Sequence, residues 1–217
     1  MMMSELEKEE TPWLIPCVES HYLSARWKEK GYTKLLDFGC GLGRHSIFFA
    51  QNGFSVSAFD ISVDAITHLR NWASNENLKI DMQIANMLSL PYQENAFDCL
   101  FAHHVISHTD TAGMLEIMSE IKRVIKPNGE LFITLCSKES WLFHDSSYPR
   151  IDNNTTIETD DSPQKGVPHY FVNYDEINNM FDDFGFTLHR IRHYDDCYYD
   201  GIQRNGYHYF ILAKTPQ

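Results

Sequence analysis

The stretch Leu35-Leu36-Asp37-Phe38-Gly39-Cys40-Gly41-Leu42-Gly43-Arg44 is an apolar run that breaks into alternating glycines, and Val56-Ser57-Ala58-Phe59-Asp60 follows one helix length later. The apolar run reads as a buried strand and the glycines as a turn. Arg44 to Asn52 then reads as a helix ended by Gly53, and Ser55 to Asp60 as a second strand closed by an acid. Strand, turn, helix and strand make a parallel βαβ unit, whose ligand site opens at the carboxyl ends of its strands. Glycines at 39, 41 and 43 let the backbone pass close beneath a ligand. The free N–H groups of the next helix, with the positive end of its dipole, face the same space. Asp60 ends its strand where a carboxylate can accept from both hydroxyls of a ribose. A dinucleotide site would need a third glycine at position 44, and Arg44 stands there, so the turn reads as a nucleoside site of another kind.

The same rhythm continues on both sides. Met1 to Thr11 is a polar, charged tail, and Val18, Tyr22, Leu23 and Trp27 give residues 16 to 29 a helical period stopped at Gly31. Ser62 caps a helix reaching Asn75, with Val63, Ile66 and Leu69 on its inner face. Ile80 to Ala85 and Phe97 to His103 read as strands three and four. Thr111 to Ile125 is a helix carrying Met114, Ile117, Met118, Ile121 and Val124 at helical spacing, and Pro127-Asn128-Gly129 turns into strand five, Glu130 to Cys136. Residues 138 to 170 lose the pattern and read as an inserted, lid-like loop. A helix over 174 to 184 precedes strands at 187 to 194 and 207 to 213, joined closely enough to pair antiparallel. The expectation is an α/β, Rossmann-like doubly wound sheet of about seven strands, mostly parallel, with an antiparallel C-terminal hairpin and an added N-terminal helix. Residues 12–217 read as a single domain behind the flexible tail 1–11, with 138–170 inserted on the substrate side.

Composition narrows the partners. Eighteen Lys and Arg against thirty Asp and Glu give a net charge of −12, and no basic run with interleaved aromatics occurs, which disfavours nucleic acid and anionic membrane. A small molecule is the expected partner. The five cysteines form no Cys-x-x-Cys pair, as suits reduced thiols, and no apolar run approaches a bilayer span. With an acidic rather than basic start, the chain is expected to be cytoplasmic, as a monomer or homodimer.

Four ordered motifs resemble the class I S-adenosylmethionine-dependent methyltransferases, in particular the small-molecule group called methyltransferase type 11. They are Leu36 to Gly43; Val56 to Asp60 with Ile61-Ser62; Asn86-Met87-Leu88-Ser89-Leu90-Pro91-Tyr92 leading to Phe97-Asp98; and Ile121 through Pro127-Asn128-Gly129-Glu130. The resemblance implies that the glycine loop surrounds the methionine part of the cofactor and that Asp37 orients its amino group, with Asp60 on the ribose and Ile61 on the adenine face. It further implies Asn86 by side chain and Met87 by backbone N–H at the adenine edge, and the His103 carbonyl near the amino group. Asn86 departs from the acid more usual there, replacing a charged acceptor by an amide oxygen. On the residues alone, Asp37 could instead cap the next turn, Ile61 could belong to the core and Met87 could fill a gap in it.

Methyl transfer by in-line displacement needs alignment, a dry pocket and, for a protonated acceptor, a base. The acceptor is expected over the ends of strands four and five, beside His103-His104-Val105-Ile106-Ser107-His108. His108 and His104 are the candidate catalytic residues; a His108 that caps the following helix is the structural alternative. Two histidines without a firm third ligand give no metal site, so none is expected. Trp13, Tyr22, Trp141, His144, Arg150 and His169 are the candidate acceptor-binding residues, as aromatic walls and polar handles. His169-Tyr170-Phe171 and His208-Tyr209-Phe210 repeat one triplet, which reads as coincidence. The reading is therefore an enzyme passing the methyl of S-adenosylmethionine to a small molecule and releasing S-adenosylhomocysteine. A non-catalytic sensor or partner subunit that binds either nucleoside is the alternative.

Overall fold

The computed structural model of the protein describes residues 14–159, 164–199 and 203–217. Its centre is a parallel run of β1 (Lys34–Phe38), β2 (Ser55–Asp60), β3 (Ile80–Ile84), β4 (Phe97–Ala102) and β5 (Ile125–Ser137), in the spatial order β3-β2-β1-β4-β5. Strands covered on both faces need apolar side chains at every position, and β1 and β4 meet that with Leu35, Leu36, Phe38, Leu100 and Phe101 fully buried. β3 lies at the edge and alternates polar Asp81 and Gln83 with Ile80 and Met82.

Helices α1 (Val18–Glu29) and α2 (Arg44–Gln51) cover one face, and α3 (Val63–Asn75) packs beside α2 on β2 and β3. Leu23, Trp27 and Phe49 meet Phe101, Phe132 and Phe210 in the core of that face. Helix α4 (Thr111–Val124) supplies Met114, Ile117, Met118 and Ile121 to the opposite core. Its N-cap is Asp110, whose side chain accepts from the Gly113 N–H at 2.8 Å. Glu130 anchors α1 to the start of the apolar part of β5. Its fully buried carboxylate accepts two bonds from Arg26 at 2.9 and 2.7 Å and one from the Trp27 indole at 3.0 Å, with Lys30 also 3.0 Å away.

Three features depart from the sequence reading. The Pro127-Asn128-Gly129 turn lies inside β5 as a bulge: Phe97 pairs with Ile125 but Cys99 with Glu130, and Asn128 takes φ 64°. The segment read as a loop contains α5 (Trp141–His144), β6 (Thr155–Ile157) and β7 (Pro168–Val172). β5 extends to Ser137 while β4 stops beside Ile133, so its last residues need new partners. β7 supplies them in parallel at Cys136 and Ser137, with β6 antiparallel outside it. Together with β8 (Thr187–Tyr199) and β9 (Gln203–Lys214), these bring the sheet to nine strands among the described residues, rather than about seven. α6 (Tyr174–Asp183) precedes the hairpin, in which β9 pairs antiparallel with β5 from Glu130 to Cys136 and β8 with β9. Both hairpin strands outrun the apolar stretches that marked them.

Candidate functional site

The glycine turn closes over the carboxyl ends of β1 and β2. Gly39 takes φ 67°, and a Cβ there would lie 2.2 Å from Val105 Cγ2, so neither its backbone nor its space admits a side chain. Gly41, at φ 53°, faces open space instead. That opening is one wall of a cavity of about 340 Å³, lined by the turn, Asp37, Asp60, Arg44, His45 and the segment after β4. Gly43, in the left-handed region, is the N-cap position of α2, so that helix starts against the same space.

Asp60 holds the turn in shape. Its carboxylate accepts from the Gly41 N–H and the Ser62 N–H, each at 2.9 Å, and still lines the cavity. Each oxygen retains a lone pair for a further donor. This structural use of a strand-end acid was not visible in the sequence. Asp37, 2% exposed, accepts from the Ser46 hydroxyl in the first turn of α2. Burial pushes its carboxyl up to about 7 against that hydrogen bond, and the neighbouring Asp60 charge adds to the rise.

The outer cofactor candidates lie beyond this cavity. Ile61 is 71% exposed after β2, so its apolar face is open rather than part of the core. Asn86 is exposed after β3, and its side-chain oxygen accepts from Leu88 N–H at 3.0 Å, so the atom expected at an adenine amino group already closes its own turn. Met87 is half-buried against the α4-side core, the gap-filling position.

Beyond Val105 the cavity is walled by imidazoles. His103 stacks on Phe101 with ring centroids 6.2 Å apart, and its Nδ1 is 3.4 Å from Arg44 Nη2. His104 takes the left-handed φ of 54°, and its N–H donates to Thr134 Oγ1 at 2.6 Å. That conformation turns its ring against His103 on one side and His208 on the other. His108 lines the cavity with His169 5.1 Å behind it. Asp110 caps α4, so the capping alternative for His108 falls away. Burial pulls His103 down to about 2 and His108 to about 4, aided by their histidine neighbours, so both rings are neutral near pH 7.

The acceptor-side candidates separate. His169 is buried beside His108, with Nδ1 3.1 Å from the Val167 carbonyl and Nε2 2.9 Å from Gln164 Oε1. Trp141 is half-buried, its ring beneath the Arg204 guanidinium and against Tyr148. Tyr22 lies under the Arg190 guanidinium and is not part of the cavity lining. Arg150 donates to the Phe143 carbonyl and stands 3.9 Å over the Phe143 ring, an internal brace of the insert rather than an anion handle. His144 is exposed beside Phe143. Trp13 lies outside the described residues.

Sequence reading missed His45, Arg44 as a wall residue, and His208. His45 looks like a helix-start residue, yet it is 5% exposed, and its Nε2 accepts from Cys17 N–H at 3.2 Å. Burial drives it down to about 3. His208 carries no local signal beyond the repeated triplet, whose two copies flank β5: Cys136 pairs with Phe171 on one side and His208 on the other. A wider, open groove of about 700 Å³ runs between α3 and the amino ends of β2 and β3, far from this machinery.

The cavity thus opens at the carboxyl ends of the strands of a Rossmann-like sheet, and residues 35–129 match the family described as "Methyltransferase domain". That match covers a little under half of the chain, and the chain resembles the class I S-adenosylmethionine-dependent methyltransferases in this segment and in fold. It is similar to Methyltransferase GfsG of Streptomyces halstedii, at 29% identity over 46% of this chain and 36% of that one. A SAM-dependent methyltransferase from Methanosarcina mazei superposes with TM-score 0.69 at 23% identity, over 84% of this chain and 92% of that one. The Burkholderia thailandensis 1,6-didemethyltoxoflavin-N1-methyltransferase, solved with its acceptor and S-adenosylhomocysteine, gives TM-score 0.66 at 15% identity over 92% and 79% of the two chains. The chain spans about half the length, or less, of the first curated relatives it matches. Among the described residues no helix is long and apolar enough to cross a membrane.

Proposed function

We propose that the protein transfers the methyl group of S-adenosylmethionine to a small-molecule acceptor in an in-line displacement and releases S-adenosylhomocysteine. The observation that carries this reading is a single cavity running from Asp60 and the glycine turn to His104 and His108. The open face of Gly41 and the spare lone pairs of Asp60 fit a ribose and its adjoining chain. Asp37, the glycine turn and the His103 carbonyl would hold the methionine part, while Ile61, Asn86 and Met87 would bound the adenine.

The cofactor supplies an electrophilic methyl carbon on a sulfonium. The chain's own residues supply alignment, a water-poor space and a place for a proton. The neutral imidazole of His108, with His104 beside it, would meet the acceptor, backed by His169, with Trp141 as an outer wall. Tyr22 and Arg150, committed to Arg190 and Phe143, take no part.

The test is calorimetric titration with S-adenosylhomocysteine followed by product release from S-adenosylmethionine against a broad metabolite panel. Tight binding with turnover supports the enzyme. Binding without product release on any acceptor favours the sensor, and absence of binding overturns both readings.

A further inference from the structure

His208 lies on β9 opposite Cys136, and the pleat puts its side chain on the same face as Phe210, towards Phe101 and Phe132. Its ring meets His104 edge to face at 4.4 Å; His104 meets His103 in the same way at 4.0 Å, and His103 is 5.3 Å from His45. His208 is also near enough that a charge on it would depress the basicity of His103, His108 and His169. It is the centre of a cluster drawn from α2, the end of β4, β7 and β9, and four members, His45, His103, His104 and His108, line the cavity. Among the described residues no three such side chains are set to hold a metal ion.

Imidazoles packed at these distances repel one another when charged, so the first proton taken up blocks the second. The charged and titratable groups facing the cluster are Arg44 and His45 from α2, Asp60 from β2, Cys136 from β5 and His169 from β7. Arg44 opposes protonation of His103, and Asp60 favours it at His108. Around neutrality the His45, His103 and His108 rings of this wall offer nitrogen lone pairs rather than a charge.

We propose that His208 and His104, with the imidazoles around them, form a wall that accepts one proton, and that the methyl acceptor is an uncharged molecule bearing a proton on its accepting atom, such as a hydroxyl, thiol or ring N–H. This rests on the methyl-transfer reading. In the step, the accepting atom forms its bond to the methyl carbon as the carbon–sulfur bond breaks with its electron pair left on sulfur. The acceptor's proton passes to an imidazole nitrogen and then to water.

Two measurements on the full chain test it. With S-adenosylhomocysteine bound, histidine ring signals are followed by NMR through a pH titration of wild type, His208→Phe and His208→Gln. Removing His208 is expected to raise the midpoints of His103, His108 and His169 by about half a unit or more; unchanged midpoints in both variants overturn the cluster. Methyl transfer is then compared for phenol, thiophenol and benzimidazole, for 4-nitrophenol at about pH 8, where it is largely ionised, and for proton-free pyridine. His208→Phe is expected to slow phenol at least about tenfold while 4-nitrophenol changes less than about twofold. Equal slowing of both phenols, or no turnover of any proton-bearing probe, overturns the proposal. Retained nucleoside binding in those cases leaves the methyl-transfer reading intact, whereas failure of wild type to bind S-adenosylhomocysteine removes that reading itself.

Discussion

Asp37 and Asp60 sit in one cavity yet have different work to do. Asp37 is raised from the usual carboxylate range to about 7, so folding leaves it protonated over a window in which the unfolded chain is ionised. A raised carboxyl contributes stability that is complete below about 4 and is lost as pH rises through about 7. Asp37→Asn, which keeps shape and removes the charge, is therefore expected to gain on the wild type by about 1–3 kcal/mol between about pH 5 and 8, read as urea midpoints without cofactor. Asp60 is held by two backbone N–H groups, so its loss affects the turn as well as any ribose. Asp60→Ala is expected to weaken S-adenosylhomocysteine binding by about 2 kcal/mol or more in calorimetry, near thirtyfold, with the far-ultraviolet circular dichroism retained. Unchanged affinity would remove Asp60 from the cofactor site.

At the scale of elements, the strands that shape the cavity were legible because each is short, apolar and flanked by a turn or cap. The predicted range of β2, Ser55 to Asp60, matches the structure residue for residue. β6 and β7 were not legible: their pairing is set by the end of β5 projecting past β4, a requirement that no local window contains. Ser107 reinforces the junction, its hydroxyl accepting from Cys136 N–H and its carbonyl from Tyr170 N–H. Helix α4 starts on Asp110, and Asp152 of the insert also accepts from Thr111 N–H at 3.2 Å. Asp110→Ala is expected to cost about 1 kcal/mol in urea unfolding while leaving cofactor affinity in place.

Over the whole molecule, a long-range cluster joins the N-terminal segment to the sheet. Glu130 gathers Arg26, Trp27 and Lys30; burial alone would raise its carboxyl, but those partners override it and hold it low. Glu130→Ala leaves the indole N–H unpaired and is expected to cost about 3 kcal/mol, with hydrogen exchange across 18–29 rising before that of the central strands. The buried imidazoles set the acid limit. His45, His103 and His108 are depressed to about 3, 2 and 4, so each binds its proton in the unfolded chain first and contributes stability lost as pH falls below about 6.5. Asp37 opposes them with one proton of the other sign. The cofactor-free protein is therefore expected to lose stability from about pH 6 to 5, with about two protons taken up on unfolding, as calorimetry in two buffers would show.

The sequence by itself determined the βαβ order, the glycine turn, the strand-end Asp60 and the family they resemble, because these are local patterns of hydrophobicity and backbone freedom. Only the tertiary structure decided which faces meet. It left Tyr22 and Arg150 out of the cavity lining, brought His45 into it with His208 against His104, and placed the two copies of one triplet on either side of β5. Those outcomes depend on pairing between residues far apart in the chain, where register and burial, rather than neighbouring residue types, set what each side chain can touch.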